Sequence, residues 1–153
     1  MADQPKQIEI VNRKSKFEYH FIDEYEAGIV LNGTEIKSIR AGHAHLSDAY
    51  CFFKNEELYV RNLFIREYKF ATYFNHDPLR PRKLLLKKVE LRKLEKKVKE
   101  RGFTIVPYRL FISDRGYAKL EIALAQGKKS YDKRQTIKER DNKRQLARIK
   151  KSF

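Results

Sequence analysis

The sequence predicts a mainly β domain, a small antiparallel barrel with two or three short peripheral helices and a basic C-terminal tail. Several segments alternate apolar and polar residues with a period of two, as strands with one buried face do. Only two segments place apolar residues at helical spacing. The 153 residues have room for one domain of about 125 residues and a tail, but not for two domains.

The first strand or strand pair is predicted over residues 17–31, where apolar and polar residues alternate. The dipeptide Asn32-Gly33 follows it and is typical of a primed turn between strands. A short helix is predicted over residues 34–40, because two isoleucines lie three positions apart on one face and Gly42 is a suitable C-cap residue.

A hairpin is predicted over residues 49–64, with strands at 49–53 and 58–64 and a polar turn at 54–57. Residues 75–82 are a predicted loop. They include two prolines, and each proline disfavours helix in the residue before it.

An amphipathic helix is predicted from residue 89 to Arg101-Gly102, because apolar residues recur there at helical spacing among charged residues. A last hairpin is predicted from strands at 103–112 and 117–125. Pro107 places its strand at an edge or a bulge, since proline lacks the backbone N–H of a sheet ladder. About six strands and two helices suggest a closed or nearly closed barrel resembling OB domains.

The charge divides the chain into a predicted barrel domain over residues 1–126 and a tail over residues 127–153. The chain has 35 Lys/Arg against 20 Asp/Glu and a net charge of +15. The tail holds eleven Lys/Arg against three Asp/Glu and therefore +8 of that charge. With so few apolar residues, the tail cannot offset its ordering entropy, and we expect it to be disordered or only nascent helix until a polyanion neutralises it.

The remaining body is also basic, and the chain contains 10 Phe and 9 Tyr. Basic surface with interleaved aromatic residues is typical of nucleic-acid-binding proteins. The single cysteine, Cys51, excludes an internal disulfide and a cysteine-based zinc cluster. The sequence shows no apolar leader and no run of about 18 apolar residues. These features predict a cytoplasmic protein without membrane association.

Glu26 is the most informative single candidate, because it is acidic in a basic chain. A carboxylate accepts hydrogen bonds from guanine or cytosine amino groups, whereas lysine would bind only phosphate. A salt bridge to a neighbouring basic residue is the alternative. A second group of candidates is basic. These residues could bind phosphates, or they could form a solvent-exposed edge of the sheet; they are Arg80, Arg82, Lys83, Lys87 and Lys88.

The histidines support only remote catalytic readings. His43 and His45 would share one face of an extended segment, and Asp48 would complete a metal site, but two such loop histidines more often face solvent. His76 beside Asp77 has the form of an oriented general base, yet no nucleophile accompanies it. A structural role in its loop is the preferred interpretation for His76.

Five motifs, in this order, resemble those of the SsrA-binding protein (small protein B) family. They are Asn12-Arg13-Lys14, Glu26-Ala27-Gly28, the run from Gly33 to Gly42, the run from Arg82 to Leu86, and the block from Gly127 to Arg134. Each motif would be weak alone, but the combination is specific and covers nearly the whole chain.

The resemblance implies an OB-like barrel that binds transfer-messenger RNA (tmRNA) and delivers it to stalled ribosomes for trans-translation. It implies an adaptor, with no catalytic residue, metal or cofactor. The implied partners are tmRNA, the decoding region and mRNA channel of the small ribosomal subunit, and elongation factor Tu through the RNA. A general single-strand binder or a ribosome-associated structural protein is the main alternative, and a metal-dependent nuclease is the remote one.

The resemblance also implies the site residues. Those matching the family's contacts with the tRNA-like domain of tmRNA are Glu26, Leu85 and Lys119, with Arg13 and Tyr19 as neighbours. The tail would become helical inside the mRNA channel, with contacts from Lys128, Lys129, Tyr131, Asp132, Lys133, Arg134, Lys138 and Arg140. Many relatives have His in place of Tyr131, so base stacking is expected there rather than imidazole protonation.

Overall fold

Short strands dominate the computed structural model, which describes residues 8–100, 102–128, 138 and 140–145. Within them, nine strands and three helices follow one another as β1 (Glu9–Val11), α1 (Lys14–Glu18), β2 (Tyr19–Ile29), α2 (Gly33–Arg40), β3 (Ala44–His45), β4 (Tyr50–Lys54), β5 (Glu57–Arg61), β6 (Phe64–Ile65), β7 (Arg82–Leu85), α3 (Lys88–Val98), β8 (Phe103–Ile112) and β9 (Ala118–Gly127). Lys138 and residues 140–145 are also helical. None of the helices in these residues is long and apolar enough to span a membrane.

Seven strands form one antiparallel sheet in the order β1-β8-β4-β5-β7-β2-β9, and β3 pairs with β6 in a separate two-stranded sheet. Strand β9 also pairs with β8 along most of its length, so the pairing order returns to β8. The predicted mainly antiparallel β fold with short helices is confirmed.

The core lies on one face of the seven-stranded sheet. Alternation in β2 turns Ala27 and Ile29 inward and leaves Glu26 exposed. Helices α2 and α3 cover this core, each with a fully buried residue, Ile39 and Leu94 respectively. The opposite face of the sheet is called here the outer face. It carries Glu26 and Lys119, and towards the start of β2 it is covered by a second apolar cluster that buries Ala123 and Ala125.

Two local predictions fail for identifiable reasons. Asn32-Gly33 is not a turn between strands; Asn32 precedes α2, and its backbone N–H donates to Glu35 Oε1 at 2.8 Å, which fixes the start of the helix. The turn predicted at residues 54–57 is confirmed between β4 and β5, where Asn55 and Glu56 have φ values of 51° and 64°. Phe17 belongs to α1 and not to the first strand.

The remaining elements largely follow the sequence pattern. Helix α3 and the β8–β9 hairpin occupy the predicted segments. The register between β8 and β9 shifts between Pro107 and Arg109, which confirms the predicted irregularity at the proline. Cys51 is buried in the core.

Candidate nucleic-acid interface

Gly28 lies on the outer face at a point where β2 pairs with strands on both sides, β7 and β9. Its partners in the two neighbouring strands are Leu85 and Lys119. Directly paired residues project to the same side of an antiparallel sheet. A Cβ atom on Gly28 would lie 3.3 Å from the Cβ of Leu85, so the glycine leaves room for a leucine that is 53% exposed.

Glu26 lies on the same face as Gly28, two residues earlier in β2. It is exposed and is paired with Glu121 of β9. Arg109 binds Glu121 at 2.9 Å and Glu9 at 2.6 Å, which compensates the charge of Glu121. Within the described residues, no hydrogen bond or ion pair involves the Glu26 carboxylate, and the salt-bridge alternative therefore finds no partner there.

Sequence reasoning missed Arg109 and Glu121. The hydrogen bond with the Glu9 carboxylate raises the pKa of the Arg109 guanidinium, and the hydrogen bond with Glu121 raises it further. The Cζ atom of Arg109 also lies 4.1 Å from the centre of the Phe111 ring. The signal that could have revealed them is alternation along β9, which places Lys119 and Glu121 on one face. Their partners in β8 depend on the register and are not visible locally.

Arg13 and Tyr19 lie away from Gly28. Arg13 immediately precedes α1 and lines a cleft of about 330 Å³ together with Arg109 and Glu121. Tyr19 starts β2 at its far end, paired with Gly127, and packs against a second apolar cluster around Val106 and Tyr108. The structure thus brings Glu26, Leu85 and Lys119 together. It places Arg13 in a cleft that is also lined by Glu121, the cross-strand partner of Glu26, and it puts Tyr19 at the far end of β2.

The basic group at residues 80–88 is largely structural. Arg82 is fully buried, and its guanidinium binds the carboxylate of Glu35 and the Leu63 carbonyl. Arg80 binds the same carboxylate at 2.6 Å, and Lys83 pairs with Glu57 at 2.9 Å. Alternation turns Arg82 to the core side with Leu84. Phosphate contact is therefore excluded for Arg82, while Lys87 and Lys88 remain exposed.

Glu35 is the counterpart of this buried arginine. Burial alone would raise the pKa of Glu35, but hydrogen bonds from Arg80, the Asn32 backbone and Arg82 outweigh it and hold the pKa below its usual value. The carboxylate thus remains ionised and keeps the buried guanidinium paired.

Two of the histidines have structural contacts. The buried His76 ring places Nε2 2.8 Å from the Ile65 carbonyl and Nδ1 2.9 Å from the Thr34 hydroxyl. Both nitrogens are occupied within the fold, so the general-base reading has no support. His45 stacks on Phe64 with ring centres 4.6 Å apart.

The tail is described only in part. The Lys128 backbone N–H donates to the Glu18 carbonyl at 2.9 Å. Lys138 and residues 140–145 are helical and exposed, and the Arg140 guanidinium carbon lies 5.2 Å from the Phe17 ring centre. The other candidate tail residues lie outside the described residues: Lys129, Tyr131, Asp132, Lys133 and Arg134.

Comparisons with known proteins place this geometry in context. The family model described as SmpB protein matches residues 9–152. The SsrA-binding protein of Christiangramia forsetii is 59% identical over 146 residues, which cover 95% of this chain and 93% of that protein. The SsrA-binding protein of Cytophaga hutchinsonii is 57% identical over 145 residues, or 95% of each chain.

A solved structure gives the same result for the fold. It is described as "tmRNA-SmpB: a journey to the center of the bacterial ribosome", and one of its chains matches with a TM-score of 0.67 and 46% sequence identity. The match covers 83% of this chain and 87% of the other.

Proposed function

The chain belongs to the SmpB protein family, and from this premise we propose that it binds tmRNA and acts with it on the ribosome in trans-translation. The names of its relatives and the solved tmRNA-SmpB structure support this proposal. The proposed role is that of an adaptor and not of an enzyme: it binds two RNA partners and performs no chemistry on either.

The observation that carries the proposal is the convergence of three different side chains around Gly28. Glu26 offers a carboxylate that has no ion-pair partner among the described residues and that can accept hydrogen bonds from base amino groups. Leu85 offers an exposed apolar surface for a base or ribose, and Lys119 a cation for phosphate. These contacts are complementary, and Gly28 lets RNA approach the backbone between them. We assign this face to the tRNA-like domain of tmRNA.

Arg13 and Tyr19 extend this assignment. Arg13 lines the cleft beside Glu121, where its charge would bind phosphate next to the Gly28 face. Tyr19 is half-buried and paired with Gly127 at the end of β9. We propose that the accessible part of the Tyr19 ring contacts the tRNA-like domain at the margin of this surface.

The tail is the proposed ribosome-binding part. Its net charge of +8 suits an RNA channel, and Lys138 and residues 140–145 are helical and exposed. A helix with no buried apolar face can meet RNA on every side. We assign this role to Lys128, Lys129, Tyr131, Asp132, Lys133, Arg134, Lys138 and Arg140. The proposal further includes a cytoplasmic location and contact with elongation factor Tu through the RNA.

Competition binding tests the proposal against a general single-strand binder. Labelled tmRNA is bound to the full chain at about 0.15 M salt and displaced with bulk tRNA or with tmRNA. We expect unlabelled tmRNA to displace the labelled tmRNA at a far lower concentration than bulk tRNA does, because Glu26 selects particular bases. A purely electrostatic binder would not discriminate between the two RNAs. Equal displacement by both RNAs would refute the proposal.

A further inference from the structure

Three exposed aromatic rings project from the loop between β6 and β7. Phe70, Tyr73 and Phe74 are 70%, 102% and 65% exposed. In the described part of the chain, the exposed aromatic side chains outside this loop are Tyr50 and Tyr117. Clustered large exposed apolar groups mark binding sites. We propose that residues 66–79, called here the aromatic loop, bind the bases of unpaired RNA.

The base of the aromatic loop is fixed by hydrogen bonds. The Asn75 side chain accepts from the Tyr68 N–H at 3.1 Å and donates to the Tyr68 carbonyl at 3.0 Å. The Ile65 N–H donates to the Pro78 carbonyl at 3.0 Å, and His76 binds the Ile65 carbonyl at 2.8 Å. A preformed base reduces the ordering cost of binding, so the rings at the tip are displayed for a ligand.

Cations accompany the rings. Lys37 Nζ lies 5.3 Å from the Tyr68 ring centre, and Lys69 Nζ lies 5.8 Å from that of Phe70. Arg66 and Lys69 also line an open cleft of about 480 Å³, and Glu67 is the one acidic residue in the lining of that cleft. Rings for stacking with cations nearby for the backbone are the combination by which proteins bind single strands without sequence preference.

The composition of the tip favours RNA over a lipid surface. Residues 69–74 are Lys-Phe-Ala-Thr-Tyr-Phe, with no aliphatic side chain larger than alanine. Membrane-surface segments bury a continuous apolar helix face, whereas these residues are not helical. A flat aromatic ring and a neighbouring ammonium match a base and its phosphate.

The aromatic loop shares no residue with the Gly28 face. It runs from β6, in the two-stranded sheet with β3, to the start of β7, whereas Gly28 pairs with Leu85 at the other end of β7. Base binding by the loop would therefore be a second RNA contact, whichever RNA binds the Gly28 face.

A single tryptophan provides the test, because the chain has none. In the full-length Tyr73→Trp variant, a uridine oligomer of about ten nucleotides should quench the fluorescence by stacking. Val89→Trp is the matched control, since Val89 is 76% exposed beside Lys87 and Lys88 but outside the loop. Strong quenching only at position 73 is the expected result. Equal quenching at both positions would overturn the proposal, because the oligomer would then follow charge alone.

The triple variant Phe70→Ala, Tyr73→Ala, Phe74→Ala gives the second readout. Its affinity for the uridine oligomer should fall at least about fivefold, the loss of one stacked base. Its melting temperature and its binding of heparin, a polyanion without bases, should stay unchanged. The proposal would be overturned if the triple variant bound the oligomer as tightly as the unchanged chain. It would also be overturned if the triple variant lost binding to vesicles of anionic phospholipid but kept its binding to the oligomer. The uridine oligomer contains no tRNA-like domain, so a negative result with it would leave the proposed function standing.

Discussion

Glu35 and Arg82 form a buried ion pair between the start of α2 and the start of β7. Both side chains are fully buried, and Arg80 joins the same carboxylate from the loop before β7. The pair connects two segments 47 residues apart that the sequence shows as separate motifs. It therefore holds α2 against the strand that carries Leu85 to the outer face.

Removing the charge of Glu35 should strongly destabilise the fold. Glu35→Gln keeps the size of the side chain but leaves Arg82 buried without a counter-charge, which costs about 3–5 kcal/mol. Urea unfolding followed by circular dichroism measures the change in the free energy of unfolding. The matched control is Glu57→Gln, which breaks the exposed pair with Lys83 and should have little effect. Equal losses in the two variants would contradict the structural role of the buried pair.

The Glu35–Arg82 pair should make the free energy of unfolding depend on pH in the acid range. The pKa of Glu35 is lower in the folded chain than its ordinary value. Its contribution is therefore fully present above the unfolded pKa of about 4.3 and is lost as the pH falls through the lower folded pKa. The difference in unfolding free energy between the unchanged chain and Glu35→Gln should shrink below roughly pH 4.3. If the difference in unfolding free energy stayed constant down to pH 3, the ionised Glu35 carboxylate would not be the group that stabilises the fold.

Gly28→Ala should weaken RNA binding more than it weakens the fold. The new Cβ would meet the Leu85 side chain at 3.3 Å, and the exposed leucine can move aside at the expense of its position on the outer face. We expect a several-fold loss of affinity for the tRNA-like domain in a filter-binding assay. Gly33→Ala is the control, because its Cβ would meet nothing within 4 Å. An unchanged affinity in Gly28→Ala would remove this position from the interface.

Glu26→Gln should reduce affinity for tmRNA although it raises the net charge. Loss of a base-selective contact costs about 1–3 kcal/mol, roughly five- to 150-fold in affinity. The control is Asp48→Asn, an exposed residue outside the interface with the same change in charge. If both variants bind more tightly, bulk electrostatics governs the interaction and Glu26 contacts no base.

Truncation should separate the two parts of the molecule. A chain ending at Lys128 keeps all of β9 and the hydrogen bond to Glu18, so we expect it to fold and to bind tmRNA. It should not support peptide tagging in a reconstituted translation assay, because all of the proposed ribosome-binding residues except Lys128 are missing. Tagging at the normal level would show that the tail is dispensable.

Alternation and spacing predicted most of the regular elements. The β8–β9 hairpin, helix α3 and the bulge at Pro107 follow from local pattern, because each depends on residues close in sequence. Strands β3 and β6, of two residues each, are too short to leave a periodic signal. The turn predicted at Asn32-Gly33 is wrong because Glu35 accepts a hydrogen bond from the Asn32 N–H and fixes the start of α2 there. This contact outweighs the preference of the dipeptide for a turn.

The sequence by itself determined the class of partner, through the charge of the tail, the mixture of basic and aromatic residues, and motifs specific enough to indicate a family. Only the tertiary structure decided which side chains are free to bind. It buried Arg82, exposed Phe70, Tyr73 and Phe74, and brought Leu85 and Lys119 to opposite sides of Gly28. The physical reason is that burial and cross-strand register arise from contacts between residues distant in sequence, which local periodicity does not encode.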